Sequence, residues 1–361
     1  MNPTKELHDL GQSLWLDNIT RKLLESGTLA QYIRDYQITG LTSNPTIFDL
    51  AIKDSDAYDA AILAKSRAGK SGEALFIELA LEDLMRAADL FRPAHEATKG
   101  VDGWVSLELS PLLVNDTARS VKSAAELHAR AKRPNLFIKI PGTPAGVPAI
   151  EESIFAGVPI NVTLLFSREQ YRAVAEAYLR GLERRLAAGR DVRVASVASL
   201  FVSRLDVAVK DKVPAELRNR LGIAVARRTY KAYRDLLASP RWKKLASAGA
   251  MPQRVLWAST GTKDPSASDV LYVEALAAPD TIDTLPEKTL HAFADHGKVA
   301  GVMPVDGGDA EAEIAAFTKA GIDVDAVSSQ LQREGGDAFA KSWNDLLERI
   351  AAKGEVLKKA G

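Results

Sequence analysis

The stretch NLFIKIPGTPAG, Asn135 to Gly146, contains six residues, LFIKIP (136–141), that read as a single buried strand. Leu136, Phe137, Ile138 and Ile140 leave it no polar face, which is the pattern of a parallel strand covered on both sides. Pro141 and Gly142 end the run. Lys139 stands inside it. Taking an ammonium out of water costs several kcal/mol unless it is paired or sheds its proton. The stretch therefore points to a parallel sheet between helical layers and leaves a lysine to explain.

Seven further runs resemble it: SLWLDN (13–18), ITGLTS (38–43), WVSLEL (104–109), INVTLLF (160–166), RVASVASLF (193–201), RVLWAS (254–259) and DTIDTL (280–285). Helical patterns lie between them. ITRKLLESGTLAQYIRDYQ has a helical period and ends before Gly40. SREQYRAVAEAYLRGLERRLAAG opens at Ser167, an N-cap with Gln170 three residues on, and stops at Gly189. PAELRNRLGIAVARRTYKAYRDLLAS carries another helix or two. Eight strands alternating with helices predict an α/β fold, a (β/α)8 TIM barrel, with a doubly wound sheet as the rival. Two helical additions are expected: an insert at about 49–100 and a C-terminal tail over 286–361. Neither is bounded by a flexible linker, so residues 1–361 read as one barrel domain with the tail packed on it. Phe339, Trp343, Leu346 and Leu347 recur at helical spacing in the tail and are expected to pack into the core.

Lys plus Arg and Asp plus Glu both number 47, so the net charge is zero. That balance argues against a broad nucleic-acid or acidic-membrane surface. The chain has no cysteine, which excludes disulfides, thiol catalysis and thiolate metal sites and fits a reducing cytoplasm. The start, MNPTKELHDLGQSLWLDNI, contains no continuous apolar segment of the kind a secretory signal needs. No apolar run approaches the roughly 20 residues of a membrane span.

In a barrel of this kind chemistry sits at the C-terminal strand ends. There the sequence places Asp17 and Asn18, then Thr42, Ser43 and Asn44, then Glu108, then Lys139, then Asn161 and Thr163, then Ser196, Ser199 and Arg204, and last Ser259 and Lys263. A lysine on a barrel strand can attack a ketone. Its ordinary pKa near ~10.4 leaves about one molecule in 2,500 neutral at pH 7. Desolvation can lower such a pKa to about 7–8. The neutral amine then forms an iminium that draws electrons from the neighbouring carbon, with carboxylates moving the protons. Plainer readings exist for each residue taken alone. A structural ion pair with Glu108 accounts for Lys139 equally well. Asp17 can cap the next helix, and Asn44 before Pro45 can form an Asx-turn. Asn161 and Thr163 can be core hydrogen-bonding partners, and Arg204 and Lys263 ordinary surface charges. The coincidence of all of them at successive strand ends favours a site.

Other motifs fail. AGKSG (68–72) has Ala64 where a phosphate loop needs glycine, and a helical stretch precedes it. His8, His95, His128, His291 and His296 show no metal spacing, so no histidine metal site is expected. No GxGxxG follows a strand, which removes a nicotinamide-dehydrogenase reading.

LWLDNITR, GLTSNPTIF, VSLELSP, FIKIPGT, PINVTLLFS, SVASLFVSRLD and DTLPEKTL occur in that order from Leu14 to Leu290. Together they resemble the transaldolases of the class I aldolase superfamily, and with ASTGTKDP their longer bacterial branch. The resemblance implies the barrel, no metal or organic cofactor, and sugar-phosphate substrates. The reaction implied moves a dihydroxyacetone unit from sedoheptulose 7-phosphate to glyceraldehyde 3-phosphate, giving erythrose 4-phosphate and fructose 6-phosphate in the non-oxidative pentose phosphate pathway. By the same resemblance Lys139 forms the Schiff base, and Asp17 takes the C4 hydroxyl proton. Glu108 and Thr163 hold a catalytic water. Asn44, Asn161 and Ser199 hold the dihydroxyacetone unit, and Arg204 holds phosphate. One departure stands out. Many members carry a second phosphate-binding arginine after strand seven, where this chain has STGTKDP and Lys263. Leu200 also replaces a frequent proline. A monomer or homodimer in the cytoplasm is expected, without nucleic acid or membrane as partner. Two alternatives remain. A fructose 6-phosphate aldolase of the same superfamily releases free dihydroxyacetone, but looks shorter and carries Tyr where this chain has Phe201. A non-catalytic sugar-phosphate-binding barrel is the other.

Overall fold

The computed structural model describes residues 2–360. Its strands are β1 (Ser13–Leu16), β2 (Ile38–Leu41), β3 (Trp104–Glu108), β4 (Leu136–Pro141), β5 (Ile160–Leu165), β6 (Ser196–Phe201), β7 (Arg254–Ala258) and β8 (Ile282–Leu285). All neighbours are parallel, and the sheet closes in chain order with β8 against β1. This is the expected (β/α)8 barrel, and it replaces the doubly wound alternative. Every strand lies inside its anticipated run. β6 starts late because Val194 N turns back onto Val192 O, and β8 starts late because Asp280 sits at φ 61.

The helices follow the strands. α1 (Pro3–Leu10) precedes the barrel, capped by the Asn2 side chain. α2 (Arg21–Glu25) and α3 (Thr28–Tyr36) join β1 to β2. They form two helices, not one, because Gly27 takes φ 76 between them. α4 (Pro45–Lys53), α5 (Asp59–Arg67) and α6 (Gly72–Ala97) lie between β2 and β3. α6 packs on β2 and β3 as the crossover helix, so the extra material in the 49–100 insert is α4 and α5. α7 (Thr117–Ala131), α8 (Gly146–Ala156) and α9 (Arg168–Ala187) follow β3, β4 and β5. Ser167 caps α9 as its sequence indicates, its side chain accepting from Gln170 N at 3.1 Å. α10 (Ser203–Val209), α11 (Leu221–Ala238) and α12 (Pro240–Ser247) connect β6 to β7, and α13 (Leu271–Ala275) precedes β8. Past β8 come α14 (Glu287–His296), α15 (Ala310–Lys319) and α16 (Val324–Ala360).

Alternate strand residues point inward. In the lower barrel these are large: Trp104 stacks on Phe137 at 4.0 Å between centroids, and Trp15 lies 6.3 Å from Phe137. Gly40 is required beside them, since a Cβ there would sit 2.6 Å from the Trp15 ring and from Trp104 O. With the lower half filled, the upper half is left for polar residues. α16 reaches across that end, touching β5, α10, α4, α5 and α6. Trp343 and Leu346 on it are fully buried, and Trp343 meets Phe76 edge-on at 5.0 Å. Among the described residues no helix is long and apolar enough to cross a membrane.

Candidate functional site

A cavity of about 1010 Å³ opens at the C-terminal end of the barrel. Asp17, Asn44, Lys139, Thr163, Ser199, Arg204 and Lys263 all reach its wall. Glu108 and Asn161 lie just behind it, buried.

Register explains the centre of the site. Glu108 on β3 is the Cα partner of Lys139 on β4, which in turn partners Asn161 on β5. Partners across a parallel ladder face the same way, so three polar side chains converge on one layer of the lumen. Lys139 Nζ lies 2.8 Å from Glu108 Oε2, with both side chains 7% and 6% exposed. That contact is an ion pair whose angle departs from hydrogen-bond geometry, since Oε2 has no aligned donor. The ammonium instead donates to Ser43 O at 3.0 Å. Burial raises the Glu108 carboxyl above its ordinary pKa, Lys139 pulls it back, and Asp17 adds to the rise.

Asp17 sits just beyond β1 and lines the cavity. It does not cap α2; Thr20 does, accepting from Leu23 N at 3.0 Å. Thr42 Oγ1 donates to Asp17 Oδ1 at 2.7 Å. Thr42 has one proton, so Thr284 Oγ1, also 2.7 Å away, must donate to Thr42. Burial raises the Asp17 pKa, opposed by the Thr42 hydrogen bond and by the charges of Lys139, Arg204 and Lys263. Asp17 is thus a carboxyl with increased proton affinity, facing the lysine across the cavity.

The other residues divide by how committed they are. Asn44 caps α4, its Oδ1 accepting from Ile47 N at 3.1 Å, while its amide stays on the cavity wall. Asn161 is engaged at both ends: its Nδ2 donates to Ser106 Oγ at 3.0 Å, and its Oδ1 accepts from Ser199 Oγ at 2.7 Å. Thr163 Oγ1 is buried with no protein partner. Arg204, half-buried, holds its guanidinium 5.3 Å from the centre of the Phe201 ring. Among the described residues no carboxylate pairs with it. Lys263 is exposed on the loop after β7. Among the described residues no three His, Asp or Glu side chains are grouped to hold a metal.

Some members of the site lie outside the strand-end pattern of strands one to seven. Thr284 is the corresponding polar residue of strand eight. Ser106 is the inward residue below Glu108. Gln330, Leu331, Glu334, Gly335 and Phe339 of α16 form part of the wall. No local motif marks the first four, and Phe339, expected from its helical spacing to pack into the core, is buried but also faces the cavity.

Residues 14–350 match the family model for Transaldolase/Fructose-6-phosphate aldolase. A protein of Saccharopolyspora erythraea named transaldolase is 48% identical over 352 residues, covering 95% of each chain. One of Thermobifida fusca with the same name is 46% identical, covering 97% of this chain and 98% of its own. "Transaldolase 2" of a Nostoc species is 40% identical over 99% of both.

Proposed function

The chain belongs to the transaldolase/fructose-6-phosphate aldolase family, and we propose that it transfers a three-carbon ketol unit through a Schiff base on Lys139. It is an enzyme, a transferase of the transaldolase type. The observation that carries the mechanism is a buried lysine against Glu108, facing a proton-avid Asp17 across a cavity of sugar-phosphate size.

The neutral amine of Lys139 attacks C2 of sedoheptulose 7-phosphate, passing its proton toward Glu108, whose burial favours the protonated form. The carbinolamine loses water to become the iminium. Thr163 Oγ1 and Glu108 are the groups placed to hold that water. Asp17 takes the C4 hydroxyl proton as the C3–C4 bond breaks. Erythrose 4-phosphate leaves, and the bonding electrons stay on C3 as an enamine. The enamine attacks the carbonyl carbon of glyceraldehyde 3-phosphate, and Asp17 returns its proton to the new C4 oxygen. Water then releases fructose 6-phosphate and regenerates Lys139. Asn44, Asn161 and Ser199 hold the hydroxyls of the ketol unit; for the last two this means sharing the hydrogen bond that joins them. Arg204 and Lys263 hold the phosphate, Lys263 as a point charge without the bidentate fork of arginine.

Transfer is preferred to release of free dihydroxyacetone because Phe201 on the cavity wall supplies no phenolic proton to the enamine. The setting we infer is cytoplasmic and the assembly a monomer or homodimer, with sugar phosphates and neither nucleic acid nor membrane as partners.

The test is a borohydride trap. The protein is mixed with fructose 6-phosphate without acceptor, reduced, digested and mapped by mass. A reduced dihydroxyacetone adduct on the Lys139 peptide, with little free dihydroxyacetone, is expected. Folded protein with unmodified Lys139 would return that residue to a structural ion pair and leave a sugar-phosphate-binding barrel.

A further inference from the structure

α16 contributes more than a wall. Gln332, only 8% exposed, directs its side-chain Nε2 at two carbonyls, Gly142 O and Leu164 O, each at 3.0 Å. These carbonyls lie at the C-terminal ends of the two strands on which the proposed chemistry depends, Gly142 just past β4 and Leu164 the penultimate residue of β5. Gly142 follows β4, three residues past Lys139, and Leu164 immediately follows Thr163. The two are already joined, since Gly142 N donates to Thr163 O at 2.8 Å. Gln332 closes that link from above.

The backbone it holds is unusual. Leu164 has φ 59, a left-handed conformation that a bulky residue keeps only when its surroundings enforce it. The β5–β6 register slips at the same place: Val162 pairs with Ala198, but Leu165 pairs with Leu200, so Thr163 and Leu164 together oppose Ser199. That is a bulge, and a bulge re-aims the side chains it contains. Here the re-aimed side chain is Thr163, whose Oγ1 reaches the cavity wall without a protein partner. α16 is shaped for the contact. Gly335, one turn after Gln332, faces Leu164, and a Cβ on it would come 2.9 Å from Leu164 Cδ2. One turn before Gln332, Ser328 Oγ lies 2.9 Å from Phe166 O and 2.7 Å from Val324 O, sharing its one proton between them.

We propose that Gln332 is a positioning residue: by holding the Leu164 bulge to the end of β4, it fixes the direction of Thr163 Oγ1 relative to Lys139. This rests on the reading that Lys139 and Thr163 carry out carbinolamine chemistry. Gln332 itself touches no substrate. It exerts its effect only through Thr163, which makes it separable from a helix that merely holds the fold together.

The experiment is a double-mutant cycle on the rate of borohydride-trappable adduct formed with fructose 6-phosphate. Four proteins are compared: wild type, Gln332→Met, Thr163→Ala, and the double variant. Met keeps the length and volume of Gln and removes both donors. Gln332→Met is expected to slow adduct formation about 10- to 100-fold, the scale of a small misplacement of a reacting group. In the Thr163→Ala background the same change should cost less than about twofold, because the group it positions is gone. Equal slowing in both backgrounds overturns the proposal in favour of a general structural role, and so does a Gln332→Met protein as fast as wild type. If Gln332→Met does not fold, Gln332→Asn, whose donor is one methylene short, is taken through the same cycle with the same two criteria. A wild type that traps no adduct is a different failure: it removes the Schiff-base reading, and this inference falls with it.

Discussion

At the N-terminal end of the barrel, Asp102 accepts from four donors: Ser13 Oγ, Trp15 Nε1, Thr39 Oγ1 and Gly103 N. Arg254 closes the network, donating through Nη2 to Ser13 Oγ at 2.6 Å and to Thr281 O at 2.7 Å. At the C-terminal end, Asp17 accepts from a single side chain, Thr42, and Thr163 Oγ1 has no protein partner. Both ends bury charge in the lumen of one barrel. The lower end uses most of its polar groups on one another, Arg254 Nε excepted, which fixes the fold. The upper end leaves capacity unused and turns it toward a cavity, which is what a substrate requires. What marks the site is thus unspent hydrogen-bonding capacity facing space, rather than polarity or burial as such.

The strongest way to break this contrast is to remove one charge from each end. Lys139→Ala should abolish turnover while the protein remains folded, because Glu108, its pKa already raised by burial, can take up a proton once its partner is gone. Turnover assays with a circular-dichroism melt check this. Measurable transfer by Lys139→Ala would sink the Schiff-base assignment, and an unfolded variant would make the lysine structural. Asp102→Ala should do the reverse. It strands donors in the lower lumen and should lower stability by about 3–5 kcal/mol, counting several unmet buried hydrogen bonds at roughly 1–3 kcal/mol each. Activity per folded molecule should stay within about twofold. Urea unfolding and active-site titration read the two quantities separately.

Asp283 sharpens the comparison. It is fully buried, and its Oδ2 has no partner. Thr284 next to it reaches the cavity, so Asp283 points to the other face, among the helices. Unspent capacity that does not face the cavity should matter to stability and not to catalysis. Burial pushes the Asp283 carboxyl up to about 7, against a hydrogen bond from Thr260 that lowers it. The folded protein therefore holds a proton that the unfolded chain loses near the ordinary carboxylate value. Stability from this group is fully present below about pH 4, falls as pH rises, and is lost above about pH 7. Its steepest slope is about 1.4 kcal/mol per pH unit. Asp283→Asn should flatten the decline in unfolding free energy between pH 5 and 7 and leave kcat/KM unchanged. An unchanged slope would remove Asp283 as a titrating group, and a large loss of kcat/KM would show that a cavity-facing position is not required.

Much of this arrangement was legible in the residues. β4 matched its run, LFIKIP, end for end because Pro141 and Gly142 stop it sharply. Inward polar residues could be picked out at strand ends because a strand alternates and the apolar remainder had to face helices. The Glu108–Lys139 register was not legible, since strand order and stagger depend on how the whole barrel closes. Nor was the mutual engagement of Asn161 and Ser199, because a side chain's partner is chosen by neighbours far apart in sequence. Gln332 was the least visible: a glutamine on an amphipathic helix is ordinary until that helix is docked, and docking is decided by contacts such as Trp343 on Phe76. Gly27 shows the same limit locally, since periodicity continued across it while its backbone did not.

The smallest expected effects lie at the cavity mouth, where the contrast between ends becomes a contrast between two cations. Arg204 is half-buried against Phe201 and has no carboxylate partner among the described residues. Lys263 is exposed on a loop. Burial lowers the Arg204 pKa while Asp17 raises it, yet a guanidinium stays charged at any working pH. A phosphate there would meet a preformed, partly desolvated donor fork, worth roughly 1.5–3 kcal/mol for hydrogen bonds to a charged group. Arg204→Ala should raise KM for fructose 6-phosphate about 10- to 100-fold, with a smaller effect on unphosphorylated fructose. Lys263→Ala should raise KM only about two- to fivefold, and salt should erase much of that difference, because an exposed point charge is screened within about 10 Å at 0.1 M salt. KM measured for both sugars across a salt series separates the two. If Lys263→Ala matched Arg204→Ala and resisted salt, the lysine would be an ordered phosphate ligand, and burial would be a poor guide to which cation at the mouth matters.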